Sequence, residues 1–278
     1  MSTAPSSTRG DPSAWAEAAA GLRWGLLLDG ALDGPTNMAR DHALALALDP
    51  GSAVVRLYRW RSPTVSFGRN EPAVDVYDRE DGLARGWSFV RRPTGGRAVL
   101  HHREVTYSVI FPARALGGPR AAYRAINRVL VRGLALLGVN VEIASDPPGR
   151  APLPSAGPCF DVPEEGEVVA GGRKLVGSAQ VRLGIAVLQH GSLLLNDDQT
   201  SLGEIRRAPP ATRDTGSSPA TLADLLGRVP GGDEVAEALA RGFKAALPGA
   251  WFELRAGAVP GEAELLEHYR SERWTWRR

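Results

Sequence analysis

The chain reads as an α+β protein. Apolar segments of strand length fill its middle, several joined by glycine-bearing hairpin turns, while helical periodicity gathers at 119–138 and again after residue 221. Strands and helices do not alternate along the chain, so a doubly wound parallel sheet is not expected. The 278 residues are 43% hydrophobic and 23% charged, an ordinary globular balance with room for a sizeable core.

Taken in order, residues 1–14 are small, polar and proline-containing, and a disordered tail is expected ahead of a single domain over 15–278. An apolar run at 24–29 predicts a strand. Asp33-Gly34-Pro35 makes a turn, after which Thr36 or Asn37 caps a helix to about residue 48, with Met38, His42, Ala45 and Leu46 within reach of one face. Asp49-Pro50-Gly51 stops it. Strands follow at 54–60 and 64–69, split by Ser62-Pro63, and again at 87–92, 98–101 and 105–111. Tyr123, Ile126, Leu130, Leu134 and Leu137 recur at steps of three and four, which predicts a helix over 119–138 with Gly138 closing it.

Residues 144–158 carry Pro147, Pro148, Pro152, Pro154 and Pro158 and read as a long irregular loop, a length that usually serves function or disorder. Segments 167–170 and 174–182 flank Gly171-Gly172 as a hairpin, and simple alternation puts Lys174, Val176, Ser178 and Gln180 on one face. A strand at 185–195, a polar surface loop at 197–218 and helices at 222–226, 233–247 and 262–274 complete the chain.

Several function classes find no support. A formal net charge of +2, without basic and aromatic residues interleaved, gives no argument for nucleic acid. No apolar run approaches the roughly 20 residues a membrane span needs. The N-terminus lacks the apolar core of a secretory leader, and one cysteine excludes an internal disulfide, so a cytoplasmic setting is expected. No histidine, cysteine or carboxylate cluster has zinc-ligand spacing, and no metal is expected.

What chemistry the sequence offers centres on Cys159. A lone cysteine is more often a buried small hydrophobe than a nucleophile. This one ends a proline-rich loop beside Asp161, where a thiol is available for acylation and a nearby cation would lower its pKa. Lys174 is one of only two lysines. After a Gly-Gly turn it could be simply solvated, but the small apolar flank of Leu175 to Ala179 also fits an ammonium against a cavity wall, able to hold an acyl oxygen. Arg91, Arg92, Gly95, Gly96 and Arg97 could form a basic hairpin loop or an anion-binding one. His101, His102 and His190, each taken alone, read as structural.

Several motifs in series resemble one family. Arg91-Arg92-Pro93-Thr94-Gly95-Gly96-Arg97, then Ala98 to His101 and Glu104-Val105-Thr106-Tyr107-Ser108, resemble the signature loop of lipoate–protein ligases and octanoyltransferases. Gly172-Arg173-Lys174-Leu175-Val176-Gly177-Ser178-Ala179-Gln180 resembles their lysine motif, and Gln189-His190-Gly191-Ser192 the strand after it. Asn37-Met38-Ala39 and Tyr269-Arg270-Ser271-Glu272-Arg273-Trp274 resemble the outer elements, so the likeness runs from about residue 24 to 278.

The resemblance implies a biotin/lipoate ligase catalytic domain, class II synthetase-like, with a mixed, mostly antiparallel sheet flanked by helices. Pro158-Cys159-Phe160-Asp161 resembles the cysteine loop of the octanoyltransferases that act on the glycine-cleavage H protein. The implied reaction passes octanoyl from acyl carrier protein, through a Cys159 thioester, to a lysine of the H protein or another lipoyl domain. It implies Lys174 as the second catalytic residue. Arg92, Gly95, Gly96, Arg97, His101, Gly177, Ser178 and His190 would line the substrate site. No cofactor is then needed. The alternatives are an ATP- and Mg-dependent ligase, in which Cys159 is incidental, and a non-catalytic acyl-binding relative. The proline-rich 147–157 and residues 162–166 depart from the family pattern.

Overall fold

The computed structural model describes residues 12–144, 160, 165–207, 218–255 and 257–278. Cys159 and Asp161, most of the proline-rich loop, and most of the expected tail lie outside the described residues. The tail shows one correction: Pro12 to Ala14, expected to be disordered, open helix α1 (Pro12–Ala20).

The large sheet is built from β1 (Arg23–Leu32), β2 (Ser52–Trp60), β6 (Glu104–Pro112), β7 (Glu142–Ile143), β8 (Val168–Ala170), β9 (Arg173–Leu183), β10 (Ala186–Leu194) and β11 (Trp251–Glu253), in the order β11-β1-β2-β6-β10-β9-β8-β7. β1 runs parallel to β2 and β11, and every other neighbouring pair is antiparallel. A second sheet, β4-β3-β5, comprises β3 (Thr64–Phe67), β4 (Ser88–Arg91) and β5 (Val99–His101). The fold class is thus the expected one.

Helices cover both faces of the large sheet. On one, α4 (Pro119–Ala135) and α6 (Gly232–Ala246) close the main core, with Ile126, Leu130, Leu134, Leu239 and Phe243 against Val55, Leu57, Tyr107 and Val109. On the other, α2 (Gly34–Leu46) packs Leu44 and Ala45 on Leu27, Val54, Ile110 and Leu188, and α7 (Glu262–Arg270) lies against α2. β2 and β10 are therefore buried on both faces, which is why neither can be assigned one apolar side.

Local chemistry accounts for the element ends. Asp33, not Thr36 or Asn37, caps α2: its carboxylate accepts the Thr36 amide at 2.9 Å, and Pro35 sits in the first turn, where no amide proton is needed. Leu46, expected on the inner face, is exposed. Gly171 (φ 55°) and Gly172 (φ 74°) form the β8–β9 turn, which requires positive φ at both positions.

Other differences have physical reasons. The expected surface loop contains a 3₁₀ turn, Gln199–Ile205, that buries Leu202 and Ile205 against Phe67 and Leu100. The last helix breaks at Ser271 into α7 and α8 (Glu272–Thr275). β11, the short strand β7, α3 (Arg79–Ala84) and the broken helix carry too little pattern to be seen locally. Among the described residues no helix is long and apolar enough to cross a membrane.

Candidate active site

Two parts of the molecule meet here: the small sheet with its glycine loop, and the β9 and β10 strands of the large sheet. They enclose a cleft of about 450 Å³, including the part open to solvent. Its walls are apolar and aromatic at Met38, Tyr58, Trp60 and Val99. They are polar at Ser66, His101, His190 and Ser192, and narrow at Gly96, Gly177 and Gly191. This combination suits an extended apolar ligand with one polar end.

The two arginines of the glycine loop hold backbone. Arg91 is fully buried, and its guanidinium donates to the carbonyls of Gly68 (2.6 Å), Glu71 (2.7 Å) and Thr275 (3.0 Å). Burial, aided by Arg277, pulls its pKa down to about 10, against the opposing charge of Glu71. Arg92 donates to Ser66 O (2.7 Å), Gly95 O (2.8 Å) and Arg97 O (2.7 Å), so it folds its own loop while lining the cleft. The loop in turn lies flat on β3. A Cβ on Gly68 would sit 1.8 Å from the Gly96 carbonyl oxygen, so nothing larger than glycine fits there. Gly96 lines the cleft, Gly95 beside it is exposed, and Arg97 is half-buried.

The histidines stand at the floor of the cleft in parallel settings. His190 on β10 has Nδ1 3.3 Å from Asp41 Oδ2 and Nε2 2.7 Å from Thr94 Oγ1. His101 on β5 has Nδ1 3.3 Å from Glu104 Oε1 and 3.2 Å from Ser192 Oγ, with Nε2 2.8 Å from Ser66 Oγ. It also stacks on Trp60, with ring centroids 3.9 Å apart. Burial lowers the His101 pKa, which Glu104 opposes. Asp41 is held by Arg56 (2.8 Å), Tyr58 (2.9 Å) and Ser108 (2.9 Å). Its burial acts to raise its pKa, but Arg56 and His190 win and bring it to about 2. His102 is exposed and pairs with Asp198, away from the cleft lining.

Lys174 shows why simple alternation fails. Val168 pairs with Val176 and Val169 with Lys174, so Leu175 is an extra residue in β9. The bulge sends both Leu175 and Val176 into the main core and turns Lys174 to the other side. There its Cε lies 3.3 Å from where a Gly177 Cβ would stand, against the cleft wall. Nζ is 2.7 Å from Glu167 Oε1, and 5.5 Å from the centre of the Phe160 ring, which packs on Val99 and Leu194. Gly177 and Ser178 are both at the cleft, and the Ser178 hydroxyl bonds that of Tyr107 at 2.7 Å.

Of the residues nominated from sequence, His101, His190, Arg92, Gly96, Gly177 and Ser178 converge on one cleft, and Lys174 stands behind its wall. Cys159 lies outside the described residues, but its neighbour Phe160 is buried at Lys174. Asp41, Glu104, Glu167, Ser66, Thr94 and Trp60 were not nominated. The usable signal was a charged or aromatic residue inside an otherwise apolar element, such as Asp41 in α2. Among the described residues, no three histidine, cysteine or carboxylate groups converge as metal donors.

Comparison with known proteins decides the family. The model for the lipoyl protein ligase A/B catalytic domain matches residues 33–244. The chain belongs to this family. It is 42% identical to octanoyltransferase LipM of Kyrpidia tusciae over 274 residues, covering 92% of this chain and 99% of that one. It is 34% identical to octanoyltransferase LipM of Staphylococcus aureus over 275 residues, again 92% and 99%. Among solved structures it resembles lipoate-protein ligase A bound with ATP, with a TM-score of 0.70, 24% identity, and 92% and 98% of the two chains covered. The bipartite lipoate protein ligase of Thermoplasma acidophilum gives a TM-score of 0.68 at 23% identity, covering 92% and 96%. These two likenesses establish the family's fold, and the LipM relatives, matched over nearly their full length, mark the chain as an acyltransferase.

Proposed function

We propose that this acyltransferase of protein lipoylation passes an octanoyl group through a thioester on Cys159 to a lysine of a lipoyl domain. The observation that carries the reading is the buried Lys174 at the cleft wall beside Phe160, in a chain aligned over 92% of its length with an octanoyltransferase. The donor is octanoyl–acyl carrier protein, the acceptor the glycine-cleavage H protein or a similar lipoyl domain, and the setting the cytoplasm.

Each step follows from the groups involved. The Cys159 thiolate attacks the donor carbonyl and expels the carrier's thiolate, leaving an octanoyl thioester on the enzyme. The Lys174 ammonium favours the thiolate and steadies the negative charge that develops on the carbonyl oxygen, the effect a preorganised cation exerts in a dry site. The apolar cleft past Trp60 and Met38 receives the acyl chain, with Gly96, Gly177 and His101 along it. The acceptor amine then attacks the thioester, loses a proton and forms the amide while Cys159 leaves as thiolate. Conversion of thioester to amide is downhill, so this route calls for no ATP.

Intact-protein mass spectrometry after incubation with octanoyl–acyl carrier protein, without ATP, tests the reading. One octanoyl group should be gained, removed by hydroxylamine, and absent from Cys159→Ala. A second reading is favoured by the fold shared with ATP-binding lipoate-protein ligase A. If no thioester forms, and AMP appears when lipoate, ATP and Mg²⁺ are supplied, the enzyme is a ligase and Cys159 is structural. If octanoate binds without either product, the chain is an acyl-binding relative.

A further inference from the structure

Glu167, just ahead of β8, has no part in the transfer steps above, yet its carboxylate and the Lys174 ammonium are 3% and 4% exposed and 2.7 Å apart. The carboxylate stands on an anchored segment. The Glu167 carbonyl accepts the Ala144 amide at 2.8 Å, and the neighbouring Gly166 carbonyl accepts from Asn127 of α4 at 2.7 Å. The bulge at Leu175 brings Lys174 round to the Gly177 wall, and the Phe160 ring, packed on Val99 and Leu194, lies beside the ammonium.

Burial of this kind works against a charged lysine, because the neutral amine loses less on leaving water. A neutral amine neither favours a thiolate nor steadies an oxyanion. A fixed carboxylate at contact distance reverses the balance, and an anchored one also fixes where the ammonium points.

We infer that Glu167 is a positioning residue for acyl transfer: it keeps the Lys174 ammonium charged and aimed at the cleft wall. The inference rests on the role of Lys174 given above. Other charged groups on the packed elements have their own settings. Arg173 on β9 pairs with Asp224 of α5 (Leu222–Leu226), Arg124 of α4 pairs with Glu165, and Glu142 of β7 is exposed. Arg97 follows the glycine loop, and His190 on β10 is held by Asp41 and Thr94.

The chain has a single cysteine, so alkylation of the full-length protein reports on Cys159 alone. The iodoacetamide reaction is followed against pH for the wild type, Glu167→Gln, Glu167→Asp, Lys174→Met and the Glu167→Gln/Lys174→Met double variant. Single-turnover thioester formation from octanoyl–acyl carrier protein, and thermal unfolding, are measured beside it. Losing the cation raises the thiol pKa. Glu167→Gln should therefore move the alkylation midpoint up by about one pH unit, toward that of Lys174→Met, and slow acylation on the order of tenfold, with the donor KM little changed. Glu167→Asp, which keeps the charge, should recover most of the loss and serves if Glu167→Gln unfolds. In the Lys174→Met background, Glu167→Gln should add nothing, because coupled residues are not additive.

A wild-type midpoint in Glu167→Gln, a downward shift, or an equal further shift in the Lys174→Met background would each overturn the inference alone. A Lys174→Met midpoint equal to wild type would overturn the role of Lys174 and this inference with it.

Discussion

Two buried charge clusters flank the cleft, and they are built differently. Under α2, Arg56 donates to Asp41, Asp29 and Asn37, while Arg40 bridges Asp29 to Glu262 of α7. These groups come from β1, α2, β2 and α7, so the network ties three consecutive elements to a helix near the far end of the chain. At the β8–β9 turn, Lys174 and Glu167 lie seven residues apart on one hairpin. The first cluster fixes how the elements are assembled and, through His190, where the cleft floor lies. The second adds little to assembly and stands where the proposed chemistry needs a cation. A distributed network is thus expected to fail as a loss of stability, and a local pair as a loss of rate.

Breaking the network should give the largest effect. Asp41→Asn takes one of two carboxylates from the buried Arg56, leaving it to share Asp29 with Arg40, and removing one member of a buried charge cluster typically costs about 3–5 kcal/mol. The pH dependence sharpens this. The Asp41 pKa is depressed to about 2 in the folded protein, from an ordinary value of 3.8. Its contribution is therefore fully present above about pH 4 and is lost as pH falls through about 2. Urea unfolding of wild type and Asp41→Asn should differ most at neutral pH and converge below pH 4. A gap that stays constant down to pH 2 would refute the assignment of that stability to the ionised carboxylate.

The local pair should behave otherwise. Replacing both partners together, as in Lys174→Met/Glu167→Gln, removes two charges from a buried place and leaves no charge stranded. Such exchanges are often neutral or stabilising, so the unfolding free energy should change by less than about 1 kcal/mol. Acyl transfer should fall by roughly 10²–10³-fold, the scale of losing one preorganised stabilising group. Loss of folding in this double variant would place the pair with the scaffold and erase the contrast between the clusters.

The same contrast explains what could be read from sequence. The Gly171-Gly172 hairpin, the 119–138 periodicity and the strands at 54–60 and 105–111 were legible because turn chemistry and repeat spacing are local. The family motifs point to His101, His190 and Gly177, which line one cleft, and to Lys174, which stands behind its wall, but also to Gly95 and Arg97, which do not line it. What stayed hidden depends on distant pairing. β11 exists because Trp251 to Glu253 align beside β1. The Leu175 bulge reverses the facing of Lys174, and only the register of β8 reveals it. Asp41 and Arg56 looked like ordinary polar positions in a helix and a strand, because each needs the other to be buried. Nothing local marks Glu167, because a carboxylate before a strand usually faces water.

The smallest expected effect tests the link from the network to the glycine loop. Asp41 is ionised at working pH, so in the neutral imidazole of His190 the Nδ1–H donates to it and Nε2 must accept. The Thr94 hydroxyl, 2.7 Å from Nε2, is then the donor. Thr94→Val keeps the shape of the side chain and removes only that proton, leaving a buried acceptor unpaired at a cost of about 1 kcal/mol. Nitrogen chemical shifts of His190 should still show the proton on Nδ1, because Asp41 alone holds the tautomer. In Asp41→Asn the same shifts should change while Thr94 is intact. If Thr94→Val instead moves the proton to Nε2, the loop rather than the buried network sets the state of the histidine, and the cleft floor belongs to the glycine loop rather than to the frame.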